Sequence, residues 1–231
     1  MRLVLWDVDG TLMNSRGIIR EARKRALREV YGIEGELGRV AGGGMTDPQL
    51  TLATVALHGW EENAAVELLD AFREAYVDGL HQLRGALAED LQVLPGVTET
   101  IDRLHTLGAM QSLLTGNYQE AARLKVGAVG LDRRLQIELG AFGSDNRDRL
   151  QLVPVALERA QRLREPGLTA ADIVVIGDSP RDIACARAGG ARAVAVATGA
   201  HAAQELAEHR PDCLLADLSD SAAAAAAILG R

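Results

Sequence analysis

Four bulky apolar residues, Leu3-Val4-Leu5-Trp6, run straight into Asp7-Val8-Asp9-Gly10-Thr11. A strand with no polar face must be covered on both sides, which is the pattern of a parallel sheet packed between helices. Its abrupt end in carboxylates and a glycine marks the C-terminal edge, where ligands bind in open parallel sheets. Residues two apart share a face of an extended strand. Here the strand is ending, and Gly10 lets the chain curl, so Asp7 and Asp9 can take different roles around one point. One could attack a phosphorus and hold a cation while the other moves protons. An isolated Asp-Gly would read as a surface turn; the motifs downstream reverse that preference.

Alternation of short apolar strands and helices recurs over the second part of the chain. Residues 97–106 read as helix, 109–114 as strand, 120–129 as helix, 135–139 as a short strand and 152–163 as helix. Then follow strand 172–176, helix 181–188, strand 192–197, helix 203–209, strand 213–215 and a final helix near 219–229. The expected class is α/β, a Rossmann-like parallel sheet with helices on both faces. Residues 18–30, 48–57 and 61–83 differ: they have helical spacing and charged faces, with no convincing strand between them. An all-helical cap domain is therefore expected over residues 16–88, inserted into a core of residues 1–15 and 89–231. Hinges would lie near residues 14–17 and 89–94. Inside the insertion, a glycine-rich turn at 35–44 leads into a helix that Thr46 or Asp47 would cap, with Pro48 in its first turn.

Composition removes several classes of function. Of 231 residues, 48% are apolar, enough for a substantial core, yet only 3% are aromatic, so Ala, Leu and Val must fill it. A net charge of -7 without a basic tract disfavours a nucleic-acid partner. No apolar run approaches the roughly 18 residues of a membrane span, and the N-terminus enters a core strand at once, so a soluble cytoplasmic protein is expected. Cys185 and Cys213 lack metal-ligand spacing and read as buried thiols. His58, His81, His105, His201 and His209 lie outside the motifs and read as surface or packing residues. Arginine outnumbers lysine 23 to two, leaving only Lys24 and Lys125 as candidate active-site lysines.

Two more apolar runs end in polar residues. In Ser112-Leu113-Leu114-Thr115-Gly116-Asn117, the Thr115 hydroxyl and the N–H groups of Gly116 and Asn117 would serve a phosphate, although Thr-Gly-Asn also makes an ordinary helix cap. In Val174-Val175-Ile176-Gly177-Asp178-Ser179-Pro180-Arg181-Asp182, a second acid follows the first by about one helical turn. A hard cation such as Mg²⁺ favours a few carboxylates, substrate oxygens and waters. Asp7, Asp178 and Asp182, with the Asp9 carbonyl, form the candidate metal set. Asp182 reads equally as a first-turn helix acid favoured by the macrodipole.

In order and spacing these residues resemble the haloacid-dehalogenase-like superfamily over the whole chain, and most closely its phosphoglycolate-phosphatase-like branch with small helical caps. The resemblance implies that Asp7 attacks phosphorus to form an aspartyl-phosphate and that Asp9 protonates the leaving alkoxide and then activates water. It implies that Thr115 holds the transferring phosphoryl and that Asp178 ligates Mg²⁺, which offsets repulsion between Asp7 and the phosphate. One departure stands out. The family's lysine before the last motif is missing from Asp145-Asn146-Arg147-Asp148-Arg149-Leu150-Gln151-Leu152. Register against Pro154 puts Arg149 at that position, with Lys125 or Arg147 as alternatives.

The second aspartate favours phosphoryl transfer over carbon–halogen hydrolysis, which needs no acid for an oxygen leaving group. A phosphonate hydrolase would need a cap lysine in the glycine-rich loop, but Lys24 lies in the first cap helix. The expected activity is Mg²⁺-dependent hydrolysis of a small phosphate ester, such as a phosphoglycolate-like acid or a sugar phosphate. Alternatives are a phosphosugar mutase and a non-catalytic phosphate-binding module that keeps the fold. Met45, Thr46 and Arg39 are the candidate cap contacts to the leaving group.

Overall fold

Each residue of β1 (Leu3–Trp6) is fully buried, because both of its faces are covered. A computed structural model describes residues 1–34, 40 and 43–231. After β1 come β2 (Met13–Ser15) and five helices: α1 (Ile18–Tyr31), α2 (Asp47–Ala56), α3 (Glu62–Glu67), α4 (Leu69–Gln82) and α5 (Arg84–Asp90). The chain then alternates through β3 (Leu91–Val93), α6 (Val97–Thr106), β4 (Met110–Thr115), α7 (Gln119–Ala128), β5 (Ala141–Phe142) and α8 (Leu152–Leu163). It ends with β6 (Ile173–Gly177), α9 (Pro180–Ala188), β7 (Arg192–Val196), α10 (Ala203–Glu208), β8 (Cys213–Leu215) and α11 (Ser221–Leu229).

Six strands form one parallel sheet in the order β5-β4-β1-β6-β7-β8. The two-residue period of a strand divides its apolar side chains between two cores. Val4, Trp6, Leu113 and Ile176 face α6, α7 and α11, whereas Leu3, Leu5, Leu114 and Val175 face α8, α9 and α10. This is the expected doubly covered parallel sheet. A separate antiparallel pair, β2 with β3, brackets α1–α5 at its base, Asn14 opposite Gln92. Hinges are expected in these segments from the sequence, and no strand; the structure pairs them as β2 and β3.

Three local expectations need correction. Residues 135–139 are not a strand: Leu135, Ile137 and Leu139 are buried, but Ile137–Leu139 forms a 3₁₀ turn. Gly140 then lies so close to the sheet that a Cβ there would come within 2.7 Å of the Leu113 carbonyl oxygen, and the chain pairs with β4 only at Ala141. The single helix expected over 61–83 is broken at Leu68, whose backbone turns to φ -98°, ψ 0°. Cys185 is buried as expected, but Cys213 is only half-buried on β8. The expected turn at 35–44 lies largely outside the described residues, as does Arg39.

Candidate active site

The three strands at the middle of the sheet all point their C-terminal ends at one place. β1 delivers Asp7 and Asp9, β4 delivers Thr115 with Gly116 and Asn117, and β6 delivers Asp178. Asp7 N–H still donates to the Ile176 carbonyl at 2.9 Å, so the first carboxylate is held by the sheet itself. Gly10 has φ +83°, the left-handed region, and a Cβ there would meet the Asp178 carboxylate at 2.5 Å. Only glycine lets this turn pass so near the second acid.

Asp7, Asp178 and Asp182 are buried, and each offers an oxygen within 4.8 Å of the others. Burial, with the neighbouring charges of Asp7 and Asp182, pushes Asp178 up to about 8. Asp7 is likewise raised to about 7, by burial first, with Arg149 opposing and Asp182 adding. One cation faces these three acids. Arg149 Nη2 donates to Asp7 Oδ1 at 2.9 Å and, in a shorter contact, to Asp182 Oδ1. Its Nε has no hydrogen-bond partner among the described residues, and Nη2 alone bridges both acids. The surplus of hard, buried carboxylate oxygens fits a hard divalent cation such as Mg²⁺. Asp182 also accepts from the Ser179 N–H at 3.0 Å and hydroxyl at 2.5 Å, closing the capping box of α9. Asp182 is thus the capping acid of α9, with its other oxygen held by Arg149.

Asp9 sits differently. Its carboxyl is half-exposed, and both oxygens accept from Lys125 Nζ, at 2.8 and 2.7 Å. Asn117 Nδ2 donates to Asp9 Oδ2 and to Thr115 Oγ1, each at 2.8 Å. Burial would raise Asp9, but the Lys125 ammonium and the bonds from Lys125 and Asn117 prevail and hold it below the usual carboxylate range. Thr115 only accepts in these contacts, so its own O–H is left to donate.

A cavity of about 530 Å³ opens over these groups, with Asp7, Asp9, Thr115, Gly116, Asn117, Lys125, Arg149 and Asp178 on its walls. Arg16 just before α1, Arg20 and Arg23 on α1 and Tyr76 on α4 close its far side. Arg23 is buried between the Phe72 and Tyr76 rings and forms an ion pair with Asp47. Asp47 in turn accepts from Tyr118 N–H at 2.9 Å, tying α1 and α2 to the loop after β4. Of the expected cap contacts, Met45 lines the cavity, but Thr46 does not. Thr46 is fully buried; it N-caps α2 and donates to the Arg147 carbonyl at 2.7 Å.

Arg149, rather than Lys125 or Arg147, is the cation beside Asp7; Arg147 lies exposed near Glu62. The partnership of Lys125 with Asp9, 116 residues away, was missed in the sequence. Its one local signal is a lysine on an α7 face otherwise built from Ala121, Ala122 and Val126. The Arg23–Asp47 pair left no such signal.

Comparison with known proteins agrees with this geometry. Residues 4–187 match the haloacid dehalogenase-like hydrolase family. A phosphoglycolate phosphatase of Pseudomonas fluorescens is 28% identical over 222 residues, 94% of this chain and 77% of that one. Among solved structures, one described as a predicted phosphoglycolate phosphatase from Haemophilus somnus superposes with a TM-score of 0.69 at 19% identity, covering 97% of each chain. A β-phosphoglucomutase of Clostridium difficile superposes with a TM-score of 0.67 at 13% identity, covering 95% of this chain and 92% of that one.

Proposed function

The chain belongs to the haloacid dehalogenase-like hydrolase family, and from that premise we propose that it is a Mg²⁺-dependent phosphatase acting on a small phosphate monoester through Asp7. The observation that carries this reading is the setting of Asp7. One oxygen is held by Arg149 at 2.9 Å, Asp178 and Asp182 stand near enough to share a cation, and Thr115 and Asp9 line the cavity with it.

In this reading Asp7, Asp178 and the Asp9 carbonyl hold the metal, while Asp182 steadies Arg149 beside it. Bound Mg²⁺ would neutralise the carboxylate surplus and the phosphoryl charge, so that one anion can approach another. The oxygen of Asp7 not held by Arg149 attacks phosphorus, and the bond to the leaving oxygen breaks as Asp9 passes it a proton. Because Lys125 keeps Asp9 ionised, that proton is one the substrate carries in on its phosphoryl group. Water then gives a proton to Asp9 and attacks the aspartyl-phosphate, the bond from phosphorus to Asp7 breaks, and Asp9 passes the proton to the departing phosphate, so that both carboxylates are restored. Thr115 O–H and the Gly116 N–H hold the phosphoryl oxygens, whereas the Asn117 N–H, expected from the sequence to join them, donates to Thr115 Oγ1 at 3.3 Å. We assign residues 16–88 as the cap over a core of 1–15 and 89–231, with β2 and β3 as its base. The cavity of about 530 Å³ suits a small metabolite, and Arg16, Arg20 and Met45 on its cap wall suit a polar or acidic leaving group, as in phosphoglycolate or a sugar phosphate.

The test is turnover of p-nitrophenyl phosphate and a panel of small phosphate esters, with and without Mg²⁺, by the wild-type protein and Asp7→Asn. Wild-type release should require Mg²⁺ and fall by at least about 10³-fold in the variant. Release that survives Asp7→Asn would remove the nucleophile from the reading. No release by wild type, with no binding of a phosphate mimic plus Mg²⁺, would favour a non-catalytic module.

A further inference from the structure

Lys125 is only 1% exposed and is one of two lysines in a chain with 23 arginines. The chemistry proposed above gives it no contact with phosphorus or metal. A buried ammonium must have its three N–H donors satisfied. Here three acceptors meet them: both oxygens of Asp9, at 2.8 and 2.7 Å, and Asn117 Oδ1 at 2.6 Å. That last bond fixes which way the Asn117 amide faces, so its Nδ2 is turned to Asp9 Oδ2 and Thr115 Oγ1. Lys125, Asn117 and Asp9 thus close a ring of hydrogen bonds, with Thr115 attached at one corner. Helix α7 starts four residues beyond Thr115, and its apolar seat of Ala121, Ala122 and Val126 anchors the lysine stem below the cavity floor.

We propose that Lys125 is the positioning residue for Asp9. It clamps both carboxylate oxygens from beneath, so that the acid–base group stays aimed into the cavity instead of rotating with its exposed loop. The clamp comes from α7, a core helix, so Asp9 keeps this orientation whatever lies on the cap side of the cavity. In this sequence the cationic duty is divided. Arg149 holds the attacking carboxylate and Lys125 holds the proton-handling one. The inference rests on the phosphatase reading, which gives Asp9 its protons to move.

A double-mutant cycle on p-nitrophenyl phosphate hydrolysis with Mg²⁺ tests it: wild type, Lys125→Met, Asp9→Asn and Lys125→Met/Asp9→Asn. Lys125→Met should lower kcat by about 10²-fold, the loss expected when a general acid–base group is misplaced, and leave KM within about threefold. In the Asp9→Asn background the same change should cost less than about twofold, since the residue acts through Asp9. Equal losses in both backgrounds, or a loss confined to KM, overturn the proposal and leave Lys125 as a structural ion or a substrate contact. Should Lys125→Met fail to fold, the cycle is read with Lys125→Gln, whose amide lacks the charge and cannot hold both Asp9 oxygens and Asn117 at once. A smaller kcat loss that disappears in the Asp9→Asn background then supports the proposal, and a loss of equal size in both backgrounds, or no loss in wild type, overturns it. A wild-type protein that hydrolyses no phosphate ester would refute the phosphatase reading itself, a result distinct from either outcome of the cycle.

Discussion

Two buried cations flank the end of β1, and they hold their acids in opposite ways. Arg149 faces Asp7 and Asp182, with Asp178 close by, so three carboxylates share one positive charge. Lys125 faces Asp9 alone, so charge balances one to one. On the crowded side burial raises Asp7 to about 7 and Asp178 to about 8, whereas Asp9 is lowered. The difference teaches where a cation is wanted. In the proposed reaction the negative surplus on the Arg149 side would suit a divalent cation, and the balance on the Lys125 side would keep Asp9 ionised without one.

Removing Arg149 should break this comparison most severely. Arg149→Met leaves the three acids uncompensated, and loss of one partner from a buried pair costs about 3–5 kcal/mol. The loss should be largest above pH 8 and smaller near pH 5, where Asp7 and Asp178 can take up protons. Urea unfolding at the two pH values measures it, and kcat for a phosphate ester should fall by about 10²-fold or more. Arg149→Lys is the informative companion. An arginine replaced by lysine usually loses a two-pronged bond, but here one nitrogen makes every bond and Nε makes none. Lysine should therefore keep much of the activity that methionine loses. If both variants are equally inactive, the bridging nitrogen is not what matters.

A smaller effect sharpens the contrast through pH. Without metal, Asp7 and Asp178 keep protons in the native state that the unfolded chain, with carboxylates near 3.8, has released. Between about pH 4 and pH 8 the native state thus binds more protons, so stability should fall as pH rises, by about 1.4 kcal/mol per pH unit for each retained proton. Asp9 acts in the other sense: its contribution is present above 3.8 and is lost as pH falls through its lowered native value. Mg²⁺ should restore stability at pH 8 more than at pH 5.5, and Asp178→Asn should flatten the slope. A metal-free protein equally stable at both pH values would contradict the charge surplus.

The site was legible where chemistry follows directly from a buried strand. Runs such as Leu3-Val4-Leu5-Trp6 and Val174-Val175-Ile176 have no polar face, so their strands and the acids at their ends could be placed from the sequence. Arg149 could be placed only through the family resemblance, by its register against Pro154 in the helix that follows, with Lys125 and Arg147 left as alternatives. What stayed hidden depends on distant partners. β2 and β3 are three residues each and join segments 78 residues apart at Asn14 and Gln92, with no local pattern to announce them. Lys125 meets Asp9 across 116 residues, and Arg23 meets Asp47 between two helices whose periodicity says only which face is apolar. The false strand at 135–139 has the converse cause: a 3₁₀ turn also buried residues two apart.

The smallest predicted effect separates scaffold from site on the cap side. Thr46, expected from the sequence to touch substrate, instead accepts from Gln49 N–H at 3.3 Å and donates to the Arg147 carbonyl at 2.7 Å, while the Gln49 side chain accepts from the Thr46 N–H at 3.2 Å. It joins the start of α2 to the loop that carries Arg149, and it lies off the cavity wall. Thr46→Ala should therefore cost about 1 kcal/mol in unfolding free energy, the usual loss of a helix cap, and leave KM for p-nitrophenyl phosphate within about twofold. Met45→Ala, on the cavity wall beside it, should do the reverse, moving KM more than stability. A tenfold rise in KM for Thr46→Ala at unchanged stability would return Thr46 to the substrate. The hydroxyl would then have to exchange Arg147 for the leaving group when substrate binds, and the cap-to-core joint would be a moving part of the site.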